Sequence, residues 1–337
     1  MDAVVEPLLR PLDRVRTALY RRFAPWIGPW MRNRERRVAA MGIAMVFASL
    51  VMAVEIPLWL LALGPVLLGV PHVVADLRYL WVQPSFHRQR RVWLAVVPGL
   101  VVGAVTAQLW WGLLAAGAGL FALPGTAARR RAAGLCLLLP ALYAAHRWPM
   151  WSNWAFAHLH NVIAVGLWWW LWPHGRADRR WVLIAYVGVS ALVALGALDP
   201  VLARAFHAGP DGGPSVAFYA ASLAPGLSGP AAWRVVALYA FGQSVHYAIW
   251  LRLIPEHARR RVAPRSFVQS YRALRADLGA PLLAGATVAA LLTAGWALWD
   301  LAAARGGYLR FALVHGYLEL AAAALLFARG QPLAPGR

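Results

Sequence analysis

Clusters of arginine cut this chain into apolar runs of membrane-spanning length, and that alternation restricts the fold more than any other feature. A bilayer core needs about 20 apolar residues in a helix, and only helices or closed barrels satisfy the backbone there. The runs read as spans are 39–54, 57–80, 92–109, 110–123, 132–145, 150–172, 181–198, 231–254, 281–302 and 308–327. Arginines follow the second, fourth, sixth and eighth runs: Arg88, Arg90 and Arg91; Arg129, Arg130 and Arg131; Arg176, Arg179 and Arg180; Arg259, Arg260 and Arg261. With about ten spans, these loops share a side with the arginine-rich N-terminus. The positive-inside rule makes that side cytoplasmic. The expectation is an all-α polytopic bundle of about ten transmembrane helices, in a bacterial-type inner or plasma membrane, with both termini cytoplasmic.

Composition agrees: 61% of residues are hydrophobic and 14% charged, against about 25% charged in soluble domains. The net charge of +20 does not point to nucleic acid, because the arginines sit in short loops rather than on a basic stripe with interleaved aromatics. All 33 basic residues are arginine, which excludes a lysine Schiff base and with it a retinal-binding opsin. The single cysteine, Cys136, excludes an intrachain disulfide, a cysteine-ligated zinc site and an iron–sulfur cluster. Residues 1–37 lack the apolar core and cleavage site of a signal peptide. There Leu8, Leu9, Leu12, Val15 and Leu19 alternate with arginines, the pattern of a helix lying on anionic lipids. Phe267, Val268, Tyr271, Leu274 and Leu278 predict a second surface helix. Residues 38–330 read as one transmembrane domain, with 199–230 outside the cell and 331–337 as a tail.

Ionisable groups inside such runs are costly and functional by default. On the second span His72 and Asp76 stand one helical turn apart, on a face with Leu68 and Tyr79. On the tenth, His315 and Glu319 repeat that spacing, with Tyr308 one heptad earlier. On the eighth, Tyr239, Gln243, His246 and Trp250 form one stripe. On the sixth, His158 and His160 lie about 200° apart, so a regular helix turns only one of them toward a common centre. His158, sharing its face with Trp154 and Asn161, is the expected ligand, and a helix irregularity would reverse or unite the pair. These four spans run in the same direction with their histidines at similar depth. His72, His158 or His160, His246 and His315 are therefore the expected metal ligands, with Asp76 and Glu319 orienting them or joining them. The competing structural reading is hydrogen-bonded helix packing. His87, His174 and His257 fall in arginine-rich loops and read as solvated, and His146 as interfacial. Trp168, Trp169 and Trp170 read as an aromatic belt or as the lining of an apolar channel.

The segment Gly69-Val70-Pro71-His72-Val73-Val74-Ala75-Asp76 resembles the first histidine motif of the Brp/Blh family, although Val73 stands where that family usually has glycine. Gln243-Ser244-Val245-His246-Tyr247 and His315-Gly316 resemble its later histidine segments. The resemblance implies a polytopic enzyme that cleaves β-carotene to retinal with histidine-held non-haem Fe2+. It adds Tyr247 to Asp76 and Glu319 as expected catalytic residues.

The expected function is thus an intramembrane iron oxygenase whose lipophilic substrate enters from the bilayer. A zinc-dependent lipid hydrolase would use the same ligands. A haem or copper electron carrier and a proton-coupled transporter are the other readings.

Overall fold

A computed structural model describes residues 2–171, 176–206, 215–259 and 262–330. His174, His207, Arg260, Arg261 and the tail 331–337 lie outside the described residues. Among the described residues every regular element is helical and no strand occurs.

Helix α1 (Asp2–Arg32) buries no residue of its own and ends at Asn33, whose side chain caps α2 (Arg34–Glu55) by accepting from the Glu35 and Arg36 amides. Pro57 opens α3 (Pro57–Asp76), a position where its missing N–H costs nothing. At Asp76 the chain widens into a π-helical turn, Leu77–Val82. There follow α4 (Arg90–Thr106), α5 (Leu109–Ala122), α6 (Ala128–Arg147), α7 (Pro149–Leu171), α8 (Arg176–Ala194), α9 (Asp199–Ala205) and α10 (Val216–Leu223). Helix α11 (Gly229–Ala248) also passes into a π-helical turn, Ile249–Leu253, and then α12 (Ile254–His257). A Ser266–Gln269 capping box starts α13 (Phe267–Leu278). Gly279, at φ 81°, makes the corner into α14 (Ala280–Trp299), and Asp300 caps α15 (Leu301–Arg329).

Among the described residues the apolar runs read as spans are largely helical, but four helical stretches are both long and apolar enough to cross a membrane: 34–55, 57–82, 280–299 and 301–329. Helices α8 and α9, bent by 76° at their junction, would make a fifth. The remainder fall short for local reasons. Helix α5 has only 14 residues, and α6 begins on Arg129, Arg130 and Arg131.

Helix α15 is the axis of one half, packed on α3, α4, α5, α6 and α14, while α11 packs on α2, α3, α7, α8 and α9. Helices α4 and α5 close on α15 because Gly103 and Gly112 leave room for the Tyr317 ring. A Cβ at Gly112 would stand 2.6 Å from Tyr317 Cδ1.

Two sequence expectations fail where α2, α7 and α12 meet. His257 is 3% exposed rather than solvated. It accepts from the Trp168 indole at 3.0 Å and donates to Glu35 at 3.3 Å. Trp168 is fully buried in that contact rather than exposed in an aromatic belt. Glu256 beside it takes the guanidiniums of Arg37 at 2.5 Å and Arg252 at 3.1 Å, and also that of Arg259. One buried carboxylate thereby anchors the N-terminal arm to the end of α11–α12.

Candidate metal centre

Four helices each deliver a histidine to one point: α3 gives His72, α7 His160, α11 His246 and α15 His315. The ring centroids lie 4.5 Å apart for His72–His315, 4.6 Å for His160–His246, 4.8 Å for His160–His315 and 5.2 Å for His72–His246. One ligand atom each from His72, His246 and His315 fall within 4.8 Å of one another, as do those of His160, His246 and Glu319. His246 belongs to both triads.

Hydrogen bonds set which nitrogen faces the cluster. His72 Nδ1 lies 2.7 Å from the Gly69 carbonyl, and His315 Nδ1 contacts the Ala312 carbonyl. A carbonyl only accepts, so both Nδ1 atoms carry the proton and both Nε2 lone pairs point inward. This is the second-sphere pattern of a metal-binding imidazole. Two nitrogens bound to one ion at about 2.0–2.1 Å stand roughly 2.9–3.4 Å apart at right-angled or tetrahedral geometry. His160 Nε2 and His315 Nε2 are 2.9 Å apart, a separation that also serves an N–H···N hydrogen bond.

The carboxylates complete the cluster. Asp76 Oδ2 is 3.9 Å from His72 Nε2. Glu319 lies 3.1 Å from His160 Nδ1 and 3.9 Å from His246 Nε2, neither aligned as a hydrogen bond. Both carboxylates are fully buried. The oxygens of Asp76 and Glu319, both nitrogens of His246, Nε2 of His72 and Nδ1 of His160 are buried without a hydrogen-bond partner. An unsatisfied buried polar atom costs about 1–3 kcal/mol, more when charged. So many in one place fit a bound cation, and imidazole with carboxylate suits iron and zinc. His160 and His315 are partly exposed as residues, while the cluster atoms of His72, His246, Asp76 and Glu319 are buried.

The structure therefore gathers His72, His160, His246, His315, Asp76 and Glu319, and brings the Tyr247 ring to 4.7 Å from His72. It does not bring His158. That residue donates to the Leu223 carbonyl at 2.9 Å, beside Trp154, which donates there at 2.7 Å. Helix α7 is regular, so turning His158 to α10 turns His160 to the cluster. Sequence gives no sign that α10 folds back to offer that carbonyl.

Three features had weaker sequence signals. Tyr308 packs against α3 at Gly69, where any Cβ would overlap its ring, and its hydroxyl is buried and unpartnered. The heptad spacing to His315 was its only trace. The buried Trp250 indole approaches Glu319. The π-helical turns begin immediately after Asp76 and shortly after His246, and such widened turns often mark functional sites.

No family model matches this chain, and no curated protein or solved structure matches it. Fold and site thus define an all-helical chain with a buried histidine–carboxylate cluster between four helices.

Proposed function

We propose that this chain is a polytopic membrane protein of about ten spans, with both termini cytoplasmic and anionic lipids at its basic face, and that it is a non-haem iron oxygenase. The observation that carries the reading is the convergence of four histidines and two carboxylates, with so many ligand atoms unpartnered. His72, His160, His246 and His315 would hold the metal, with Glu319 and Asp76, whose carboxylates lie beside the inward-facing nitrogens, joining them. Bound Fe2+ would supply the one-electron and dioxygen chemistry that side chains lack. The Gly69 and Ala312 carbonyls fix the imidazole tautomers, and the rigid α3 and α15 hold the His–carboxylate pairs one turn apart. Tyr247 and Tyr308 place phenols against the cluster, where they can orient a polar or developing charge on substrate.

A centre enclosed by apolar helices, with His160 and His315 only partly covered, would be reached from the bilayer rather than from water. That supports a lipophilic substrate, and the likeness at His72 makes a carotenoid the first to test. The purified protein should hold stoichiometric iron without a haem Soret band. Zinc instead would favour the hydrolase, and no metal the transporter. In cells making β-carotene, expression should bleach the pigment and yield retinal, and His72→Ala should abolish both. An iron-loaded protein that leaves carotenoid intact would remove that substrate while keeping the oxygenase. Untargeted lipid analysis without any oxygen-dependent change would remove the oxygenase as well.

A further inference from the structure

A second site lies beside the metal centre, with Pro71 and Ala75, the neighbours of His72 and Asp76, and Trp250 in its wall. Between the surface helices α1 and α13 and the bundle is a cavity of about 830 Å³, within the range of about 300–1,000 Å³ of ligand sites. None of the histidines or carboxylates of the centre lines it. Its walls are largely apolar: Leu9 of α1, Leu274 of α13, Val70 and Val74 of α3, and Leu283 and Leu291 of α14. Arg16, Arg78, Arg252, Arg259 and Arg265 also line it, and no carboxylate does among the described lining residues. Arg78, Arg259 and Arg265 are shared with an adjoining polar pocket of about 140 Å³, bounded by Gln83 and Asp277. The two spaces together make an apolar chamber with a cationic head compartment.

The charge there is unbalanced. Asp277 holds Arg78 at 2.7 Å. Asp13 stands 4.0 Å from Arg16 and already caps α13 by accepting from the Phe267 and Val268 amides. Glu256 is divided among Arg37, Arg252 and Arg259. Among the described residues, the ion pairs of those five arginines and Arg37 run to three carboxylates: Asp13, Glu256 and Asp277. Arg259 is only 6% exposed, and its Nε, like that of Arg16, is buried with no hydrogen-bond partner. Burial, and then the neighbouring Arg252, Arg37 and Arg265, pull Arg259 down to about 9. Cations crowded out of water call for an anion, and the planar guanidinium matches a phosphate through paired N–H donors.

We propose that this cavity holds one anionic phospholipid, its phosphate among Arg78, Arg259 and Arg265 and an acyl chain between α3 and α14 beneath α1 and α13. Amphipathic helices such as these lie at the headgroup boundary, where phospholipid is the anion at hand. The site rests on the membrane part of the functional reading and is independent of the metal.

Native mass spectrometry of the full chain in detergent tests it, with phosphatidylglycerol, phosphatidylcholine and inorganic phosphate as probes. The expected result is one phosphatidylglycerol per chain, held about tenfold more tightly than phosphatidylcholine and not displaced by millimolar phosphate. Arg259→Gln with Arg265→Gln should weaken it about tenfold. So should Ala290→Trp, which fills the apolar chamber and leaves every charge in place. Arg21→Gln with Arg22→Gln, on the exposed side of α1, should leave it unchanged. Equal retention of both lipids, displacement by phosphate alone, or full occupancy in the Ala290→Trp protein would each overturn the proposal. The Ala290→Trp variant decides the matter if the arginine variant fails to fold. The readout involves neither metal nor turnover, so its failure is distinct from failure of the oxygenase.

Discussion

At the scale of single residues, the cluster predicts a sharp division among the histidines. His72→Ala, His160→Ala, His246→Ala and His315→Ala should each strip most of the bound metal, since each removes a bond and a preferred geometry. His158→Ala should keep it, because that ring is spent on the Leu223 carbonyl, and so should His87→Ala. Metal analysis of the purified variants checks both halves, and full occupancy in His160→Ala would remove that residue from the site. Asp76→Asn should weaken metal binding, because it takes a negative charge from beside the metal-facing Nε2 of His72. Gly69→Ala is a packing test of the same place. Its methyl group would overlap the Tyr308 ring, and overpacking of this kind costs about 1–3 kcal/mol. A lower thermal midpoint in detergent is expected, and an unchanged one would mean that Tyr308 does not pack there.

At the scale of helices, α1 and α13 form a clasp held by polar contacts, with no buried residue in either. Arg272 donates to both oxygens of Glu6 at 2.7 Å, and the Tyr271 hydroxyl donates to Asp2 at 2.9 Å. The hydrogen bond from Arg272 lowers the Glu6 pKa below the ordinary 4.5. A carboxylate depressed by docking stabilises the docked form fully above its free value and loses that contribution as pH falls through the docked value. The clasp should therefore hold at neutral pH and loosen only below about 4.5. Spin labels at Arg14 and Ala276 would report the α1–α13 distance across that titration. Glu6→Gln, which cannot ionise, should loosen the clasp already at neutral pH and flatten its response to acid. A distance unaffected by acid would show that the apolar contacts alone dock α1.

At the scale of the whole molecule, the arginine asymmetry predicts the orientation. In a Cys136→Ala background, an impermeant thiol reagent added outside intact cells should label Leu227→Cys in the loop before α11. It should spare Val262→Cys, beside the arginines that follow α12. The reverse pattern would invert the topology and place the phospholipid cavity in the opposite leaflet.

The sequence by itself determined the helical class, because uninterrupted apolar runs between arginine loops admit little else. It determined the pairing of His72 with Asp76 and of His315 with Glu319, because a four-residue spacing on a helix is fixed by the backbone. The amphipathic character of α1 and α13 was legible for the same reason. Only the tertiary structure decided what depends on how helices rotate against one another. It chose His160 over His158, because α10 folds back to satisfy the latter. It buried His257 against Trp168 and Glu35, where loop composition had predicted solvent. It set Tyr308 on Gly69 and the arginines of five separate segments around one cavity. Helical periodicity says which residues share a face, but the partner of each face is chosen by packing between segments far apart in the chain.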